Sequence, residues 1–180
     1  MFYSNYFSQL YQLFKTVSED DLIDISEKIL DVSSRGKKII LVGNGGSSNI
    51  AGHLAVDFTN AAGVEAVSFN DTGLITCFSN DYGYENWISN ALDHYGKPGD
   101  MLISISSSGK SQNILNGVTK AKKKEIFNLT LSGFGSNNPL KLAGDKNLWV
   151  DSKSYNFIEM SHHIWLVAIV DYICQVKKGV

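Results

Sequence analysis

Two segments rich in glycine and serine contain the residue types that bind a phosphate group. The first is GNGGSS at positions 43–48, and the second is SISSSGKS at positions 104–111. Each follows an apolar run and precedes a helix-like pattern, so serine hydroxyls, free backbone N–H groups and the positive end of a helix meet at one point. The two segments therefore predict an anion site suited to phosphate.

Three patterns compete for this interpretation. The dinucleotide pattern GxGxxG fails because Ser48 stands where the third glycine belongs. The phosphate-loop pattern GxxxxGK(S/T) nearly matches the second segment, but Ser104 replaces its first glycine and no acidic metal-binding strand is evident. A serine-rich cradle for a monophosphate fits best, and tight strand-to-helix turns without a ligand are the structural alternative.

Two pairs of acidic and imidazole side chains have the spacing for acid–base chemistry or metal binding. His53 and Asp57 are four residues apart, which places both on one face of a helix, about 6 Å apart along its axis. Glu159 and His163 have the same spacing. Two imidazoles and two carboxylates form a reasonable set for zinc or another divalent ion. The alternative is an ordinary helix-face role for His53 and a surface or interface role for His162 and His163.

The composition is that of a soluble globular protein. With 180 residues, 43% of them hydrophobic, the chain is long enough to bury one full core. A net charge of -2 gives no electrostatic footprint for nucleic acid, and KAKKK at 120–124 is interpreted as a solvated helix end. The first fourteen residues resemble neither a signal peptide nor a membrane anchor, so we expect a cytoplasmic protein. Cys77 and Cys174 lack the spacing of a disulfide framework or zinc finger.

The elements that must position these residues alternate along the chain. Two helices are predicted from Tyr6 to about Ser34, before any strand. Strands are then predicted at 37–43, 65–69, 100–106, 126–133 and 147–152, with helices at 48–60, 81–96, 111–124 and 156–177 and a short turn or helix at 140–144. This alternation predicts the α/β class, a single doubly wound, mostly parallel sheet with helices on both faces. Ligands bind such sheets beyond the carboxyl ends of the strands, where the strand order reverses.

Taken together, these motifs resemble the sugar isomerase (SIS) domain family. The resemblance is carried by the two serine-rich segments, by HLAVDF at 53–58, by DTGLITCFSNDYGYE at 71–85 and by the closing amphipathic helix. Within the family, the chain is most similar to the sedoheptulose 7-phosphate isomerases, also called phosphoheptose isomerases. The resemblance implies one SIS domain over 1–180, with helices at 1–35 in the central bundle of a homotetramer and an α/β core at 36–180.

The resemblance also implies an activity and a binding site. The activity is the interconversion of a ketose phosphate, sedoheptulose 7-phosphate or a related sugar, and an aldose phosphate through an enediol. Six residues match positions that hold the sugar phosphate: Asn44, Ser47, Asp81, Ser106, Ser108 and Ser111. Asp71 and Thr72 also fall near the sugar. For Asp71 and Asp81, capping and turn chemistry is the alternative.

The catalytic positions depart from the family pattern. Asp57 stands where the family has a glutamate base, and Val167 stands where the family has its catalytic histidine. His163 lies one turn before Val167 on the same helical stripe, and Glu159 replaces a family glutamine. We therefore expect Asp57 as base and His163 as acid, and zinc or another divalent ion held by His53, Asp57, Glu159 and His163.

Two other classes of function stay open. A binding protein that keeps the sugar phosphate site but has lost catalysis would explain Val167. An SIS tetramer that associates with the bacterial replication initiator DnaA would display partner sites on its surface, although no segment here marks such a surface. The enzyme is favoured because the four acidic and imidazole residues keep compatible spacings.

Overall fold

The computed structural model of the protein describes residues 1–179. Within them, two leading helices are followed by alternating strands and helices, which confirms the predicted α/β class. The elements in chain order are α1 (Phe2–Phe14), α2 (Glu19–Ser34), β1 (Ile39–Gly43), α3 (Gly46–Asn60), β2 (Ala66–Ser68), α4 (Thr72–Tyr82), α5 (Trp87–Tyr95), β3 (Met101–Ser106), α6 (Gln112–Lys123), β4 (Phe127–Ser132), α7 (Pro139–Ala143), β5 (Lys146–Trp149) and α8 (Tyr155–Lys178).

The five strands form one parallel sheet in the order β2-β1-β3-β4-β5. Strand β1 pairs with β2 on one side and with β3 on the other, so Ile39 lies between Ala66 and Met101. The strand order therefore reverses between β1 and β3, and the ligand crevice of a doubly wound sheet lies at this point. Because the two serine-rich segments follow β1 and β3, the topology brings them to that crevice together.

Helices cover both faces of the sheet. Ile39 and Leu41 of β1 belong to the core beneath α2, α3 and α8, whereas Ile40 and Val42 pack on the opposite face with α5 and α6. Successive side chains of a strand point to opposite faces, so a strand buried on both faces is apolar throughout. The continuous apolar run of β1 is explained by this burial.

The segment between β2 and β3 differs from the prediction. The sequence pattern predicts one helix over 81–96, but α4 ends at Tyr82 and α5 begins at Trp87. Gly83 separates them with a φ of 84°, a conformation that glycine adopts readily, and a short 3-10 turn follows. Helix α4 escaped prediction because none of its residues is fully buried, so its apolar spacing is weak.

Helix α8 closes the sheet face on which α2 and α3 pack. By length and composition alone this helix could cross a membrane. In the fold, however, its Trp165, Leu166 and Ile169 are buried in the core. Core helices of soluble proteins share the apolar composition of membrane spans. The position of α8 also sets Glu159 and His163 beside α3.

Candidate active site

A small pocket lies where β1 and β3 end, and five serines line it. These five serines, called here the serine cradle, are Ser47, Ser106, Ser107, Ser108 and Ser111. Asn44, Ile105, Tyr155 and Glu159 complete the lining. The four serines predicted to bind phosphate are thus brought together, one from α3 and three from the end of β3 and the loop that follows it.

Two helices begin at the serine cradle. Gly45 precedes α3 with a φ of 54°, Ser111 precedes α6, and within residues 1–179 no side chain caps either helix. The first N–H groups of an uncapped helix can bind an anion. In α3, Ser47 N and Ser48 N also donate to the carbonyl oxygens of Asn44 and Gly45, at 3.1 and 3.0 Å. Gly43 keeps the first loop tight, since a Cβ there would lie 2.5 Å from the Ser47 carbonyl oxygen. The backbone of both loops therefore supports the predicted phosphate site.

Within residues 1–179, one fully buried hydroxyl of the cradle lacks a partner. Ser106 and Ser111 hydrogen-bond through their hydroxyls at 3.2 Å, and Ser108 Oγ accepts from Lys110 N at 3.3 Å. The buried Ser107 Oγ, in contrast, has no hydrogen-bond partner within the described residues. An unpaired buried hydroxyl costs about 1–3 kcal/mol, which a ligand oxygen would recover. Sequence reasoning missed Ser107, although the run of three serines was the available signal.

Asn44 lines the same pocket with its amide already engaged. It exchanges two hydrogen bonds with the amide of Asn113, at 3.0 and 2.9 Å, and its Oδ1 also accepts from the Tyr84 hydroxyl at 3.0 Å. Asn113 is itself buried on α6. These bonds tie the loop after β1 to α6, so Asn44 holds the two loops in register.

The acidic residues of α4 have local partners. Asp71 Oδ1 accepts from Leu74 N at 2.8 Å and so caps α4, the alternative predicted for it. Asp81 is exposed near the end of α4 and contacts Asn80 Nδ2 at 2.9 Å and Cys77 Sγ at 3.6 Å. Asp81 is not among the residues that line the cradle pocket in the described chain, so its predicted substrate contact stays a prediction.

Asp57, His53 and His163 form a continuous chain of polar contacts, called here the imidazole relay. His53 Nε2 lies 3.1 Å from Asp57 Oδ2, and His53 Nδ1 lies 2.8 Å from His163 Nε2. The two imidazole planes cross at 88°. The relay therefore joins α3 to α8, with a carboxylate at one end and an imidazole at the other.

The surroundings of His163 lower its pKa. Burial is the main cause and the charge of His53 adds to it, whereas Asp57 raises the pKa of His163 and opposes both. The shift favours the uncharged form of the His163 imidazole. An uncharged imidazole can donate a proton from one ring nitrogen and accept a proton at the other.

Of the two adjacent histidines of α8, only His163 reaches His53. His162 is fully buried, with Nε2 3.1 Å from the Ser132 carbonyl oxygen, and burial lowers the pKa of His162 to about 4. Val167, where the resemblance implies a histidine, packs against the core. His163 is therefore the imidazole of α8 that contacts the relay.

The four residues predicted to hold a metal are not assembled as one set. The Glu159 carboxylate lies at the start of α3, where a Cβ on Gly46 would be 2.8 Å from its carbon Cδ. Both ring nitrogens of His53 already contact Asp57 and His163. Among residues 1–179, no group of three or more His, Cys, Asp or Glu side chains is arranged to hold a metal ion. This geometry does not fit a metal bound by all four side chains.

The fold and the site define a class of protein: a doubly wound α/β domain with a serine-lined pocket at its strand-order reversal and a contacting histidine and aspartate further along the helix that begins there. The sequence profile of the SIS domain family matches residues 2–133. The chain therefore belongs to the SIS domain family, which confirms the resemblance seen in its motifs.

Individual relatives are similar along most of their length. The chain is 36% identical over 179 residues to a phosphoheptose isomerase of Sulfurimonas denitrificans, covering 92% of this chain and 88% of the relative. It is 33% identical over 152 residues to one of Fusobacterium nucleatum, covering 82% and 78%. The solved phosphoheptose isomerase from Francisella tularensis matches with a TM-score of 0.88 and 26% identity over 96% of both chains.

Proposed function

We propose that the protein is a phosphosugar isomerase that interconverts a ketose phosphate, sedoheptulose 7-phosphate or a related sugar, and an aldose phosphate. The observation that carries the proposal is that α3 begins in the serine cradle and presents His53 about 10 Å further along its axis. A sugar held by its phosphate in the cradle extends along α3 toward the imidazole relay. The similarity to phosphoheptose isomerases supports the same class of substrate.

Isomerisation moves a proton between adjacent carbons. In the proposed reaction, the Asp57 carboxylate removes a proton from carbon 1 of the ketose while His163 donates a proton to the carbonyl oxygen at carbon 2, which gives an enediol. Return of a proton to carbon 2, with loss of the hydroxyl proton at carbon 1, gives the aldose. His53 connects the two groups because an imidazole can receive a proton on one nitrogen while it releases another from the second.

The proposal uses no metal. Zinc or another divalent ion stays a prediction of the sequence, and elemental analysis of the purified protein tests it. Within the relay, proton transfer between Asp57 and His163 needs only the contacts at 3.1 and 2.8 Å.

We further propose that the protein is a cytoplasmic homotetramer. Helix α1 buries none of its side chains and exposes Phe2, Tyr3, Phe7 and Tyr11. On neighbouring helices, Val56, Met160 and Ile164 are also exposed. Apolar surface of this kind is typical of protein interfaces, and residues 1–35 would supply it to a central helix bundle.

Proton exchange followed by NMR tests the isomerase. The protein is incubated with sedoheptulose 7-phosphate in deuterated water, and we expect deuterium at the carbon next to the carbonyl together with formation of the aldose. His163→Ala should slow exchange about 100-fold or more, the usual contribution of one acid–base group. His94→Ala, which removes an exposed histidine of α5, should leave the rate unchanged.

Three results would contradict parts of this proposal. Binding of ketose phosphates without exchange for any of them would make the protein a phosphosugar-binding protein. Equal rates for His163→Ala and the natural protein would remove His163 from the reaction. A loss of exchange in His94→Ala as large as that in His163→Ala would mean that the loss in His163→Ala is not specific to the imidazole relay.

A further inference from the structure

We infer that Glu159 competes with the substrate's phosphate for the positive end of α3 and so sets a low affinity of the serine cradle for free inorganic anions. The inference deepens the proposed function, because it concerns the same phosphate site. It differs from the role predicted for Glu159 as a metal ligand.

The carboxylate of Glu159 lies inside the phosphate pocket. Glu159 lines this pocket together with the five serines. A Cβ built on Gly46, the first residue of α3, would come within 2.8 Å of both Glu159 Cδ and Oε1. The carboxylate therefore lies against the backbone at the start of α3, where the helix dipole stabilises an anion.

Within the described residues, no cation forms an ion pair with this carboxylate. None of the ion pairs formed within residues 1–179 includes Glu159. Glu159 is also the only charged residue among those that line the pocket. An incoming phosphate dianion thus meets a charge of like sign, and the pocket lining offers hydroxyl groups but no cationic side chain to offset the repulsion.

The Glu159 carboxylate can be displaced from the start of α3. Glu159 is only half-buried and stands in the second turn of α8, so its side chain can turn outward. A sugar phosphate offers hydroxyl groups that can donate hydrogen bonds to a displaced carboxylate, whereas inorganic phosphate offers no such sugar contacts. Glu159 therefore favours the sugar phosphate over the free anion. A neutral glutamine, which the family resemblance places here, would not discriminate in this way.

Calorimetric titration with inorganic phosphate and with sulfate tests the inference. Both Glu159→Gln and Glu159→Ala should bind each anion about tenfold more tightly than the natural protein, because like charges a few ångströms apart repel strongly in a half-buried site. Asp171→Asn is the matched control. It removes one negative charge from an exposed position of the same helix, about 18 Å along the axis, and should leave both affinities unchanged.

Each outcome decides the inference. Tighter binding by Glu159→Gln with no change in Glu159→Ala would overturn it, since the gain would then come from a new amide donor. Unchanged or weaker binding by both variants, or an equal gain in Asp171→Asn, would overturn it as well. The gain in anion affinity should also disappear when Ser108→Ala is added to Glu159→Ala. A gain that persists in the double variant would show that the anion does not bind in the cradle, and would overturn the inference.

Failure of the proposed isomerase function and failure of the inference about Glu159 give different results. If the natural protein shows no proton exchange while both Glu159 variants bind anions more tightly, isomerisation is refuted and the competition stands. If exchange occurs and neither variant gains affinity, the isomerase stands and the competition is refuted.

Discussion

His162 and His163 are adjacent in the chain, yet the fold gives them opposite environments. Successive residues of a helix point about 100° apart, so one imidazole enters the core and the other meets His53 across the gap to α3. Burial removes water from His162 and keeps it neutral, whereas His163 keeps a polar partner that can exchange protons. Position on the helix, and not residue type, thus separates a packing histidine from one that contacts the relay.

The buried imidazole of His162 predicts a loss of stability in acid. The pKa of His162 is about 4 in the fold and about 6.5 when unfolded, so the unfolded chain takes up a proton first as the pH falls. This contribution to the free energy of unfolding is complete above pH 6.5 and is lost, by about 3 kcal/mol in total, as the pH falls through 4. Urea unfolding between pH 7 and pH 4 measures this change in the free energy of unfolding.

Two variants separate His162 from the other groups that titrate in this range. His162→Asn should flatten the pH dependence of the unfolding free energy, whatever its effect on stability at pH 7. His94→Asn, at an exposed position, should keep the full dependence. A slope in His162→Asn equal to that of the natural protein would contradict the assignment.

At the scale of elements, the loop between β3 and α6 depends on its contact with α7. Asn138 is buried beneath this loop, caps α7 by accepting from Lys141 N at 2.9 Å, and donates to Ser132 Oγ at 3.1 Å. Leu140 N donates to the Gly109 carbonyl oxygen at 3.0 Å. The cradle loop is therefore supported from below by a short helix that contributes no ligand of its own.

Gly109→Ala should damage both this support and the phosphate site. Gly109 has a φ of 64°, and a Cβ there would collide with the side chain of Asn138. Gly36 has nearly the same φ, 65°, but no neighbour within 4 Å, so Gly36→Ala reports the backbone strain alone. We expect Gly36→Ala to cost about 1–2 kcal/mol and Gly109→Ala about 2–4 kcal/mol.

Chemical denaturation measures the two costs, and calorimetry measures phosphate affinity. Only Gly109→Ala should weaken the binding of phosphate. Equal costs for the two variants, or unchanged affinity in Gly109→Ala, would show that the loop does not rely on the contact between Gly109 and Asn138.

At the scale of the whole molecule, α1 is attached to the rest of the chain at few points. Trp165 Nε1 donates to the Phe14 carbonyl oxygen at 2.9 Å, and the rings of Tyr6 and Phe157 lie 4.7 Å apart. The side chains of Phe2, Tyr3, Phe7 and Tyr11 face outward. This surface is the physical basis of the proposed tetramer, because it leaves an aromatic face for other copies of the chain to cover.

Phe7→Glu should shift the protein from tetramer to smaller species. Burying a carboxylate in an apolar interface is costly, so the variant should sediment more slowly in analytical ultracentrifugation. Leu142→Glu changes an equally exposed apolar residue on α7 and should leave the tetramer intact. A natural protein that sediments as a monomer, or a tetramer that survives Phe7→Glu, would contradict the proposed bundle.

The sequence by itself was enough to predict the fold class, the two leading helices and that four of the five cradle serines come together. These features are local, since apolar periodicity defines strands and helices, and runs of serine and glycine define the loops between them. Helix α4 was not predicted because none of its residues is fully buried, so its apolar periodicity is weak.

Only the tertiary structure decided which helix faces meet. Residues four apart share a face, but their spacing does not determine what that face contacts, and His53 and His163 are separated by 110 positions. The packing of α8 against α3 selected His163 over His162 and set the Glu159 carboxylate at the start of α3. Contacts of this range depend on the whole core, because the buried side chains of many elements fix the position of each helix at once.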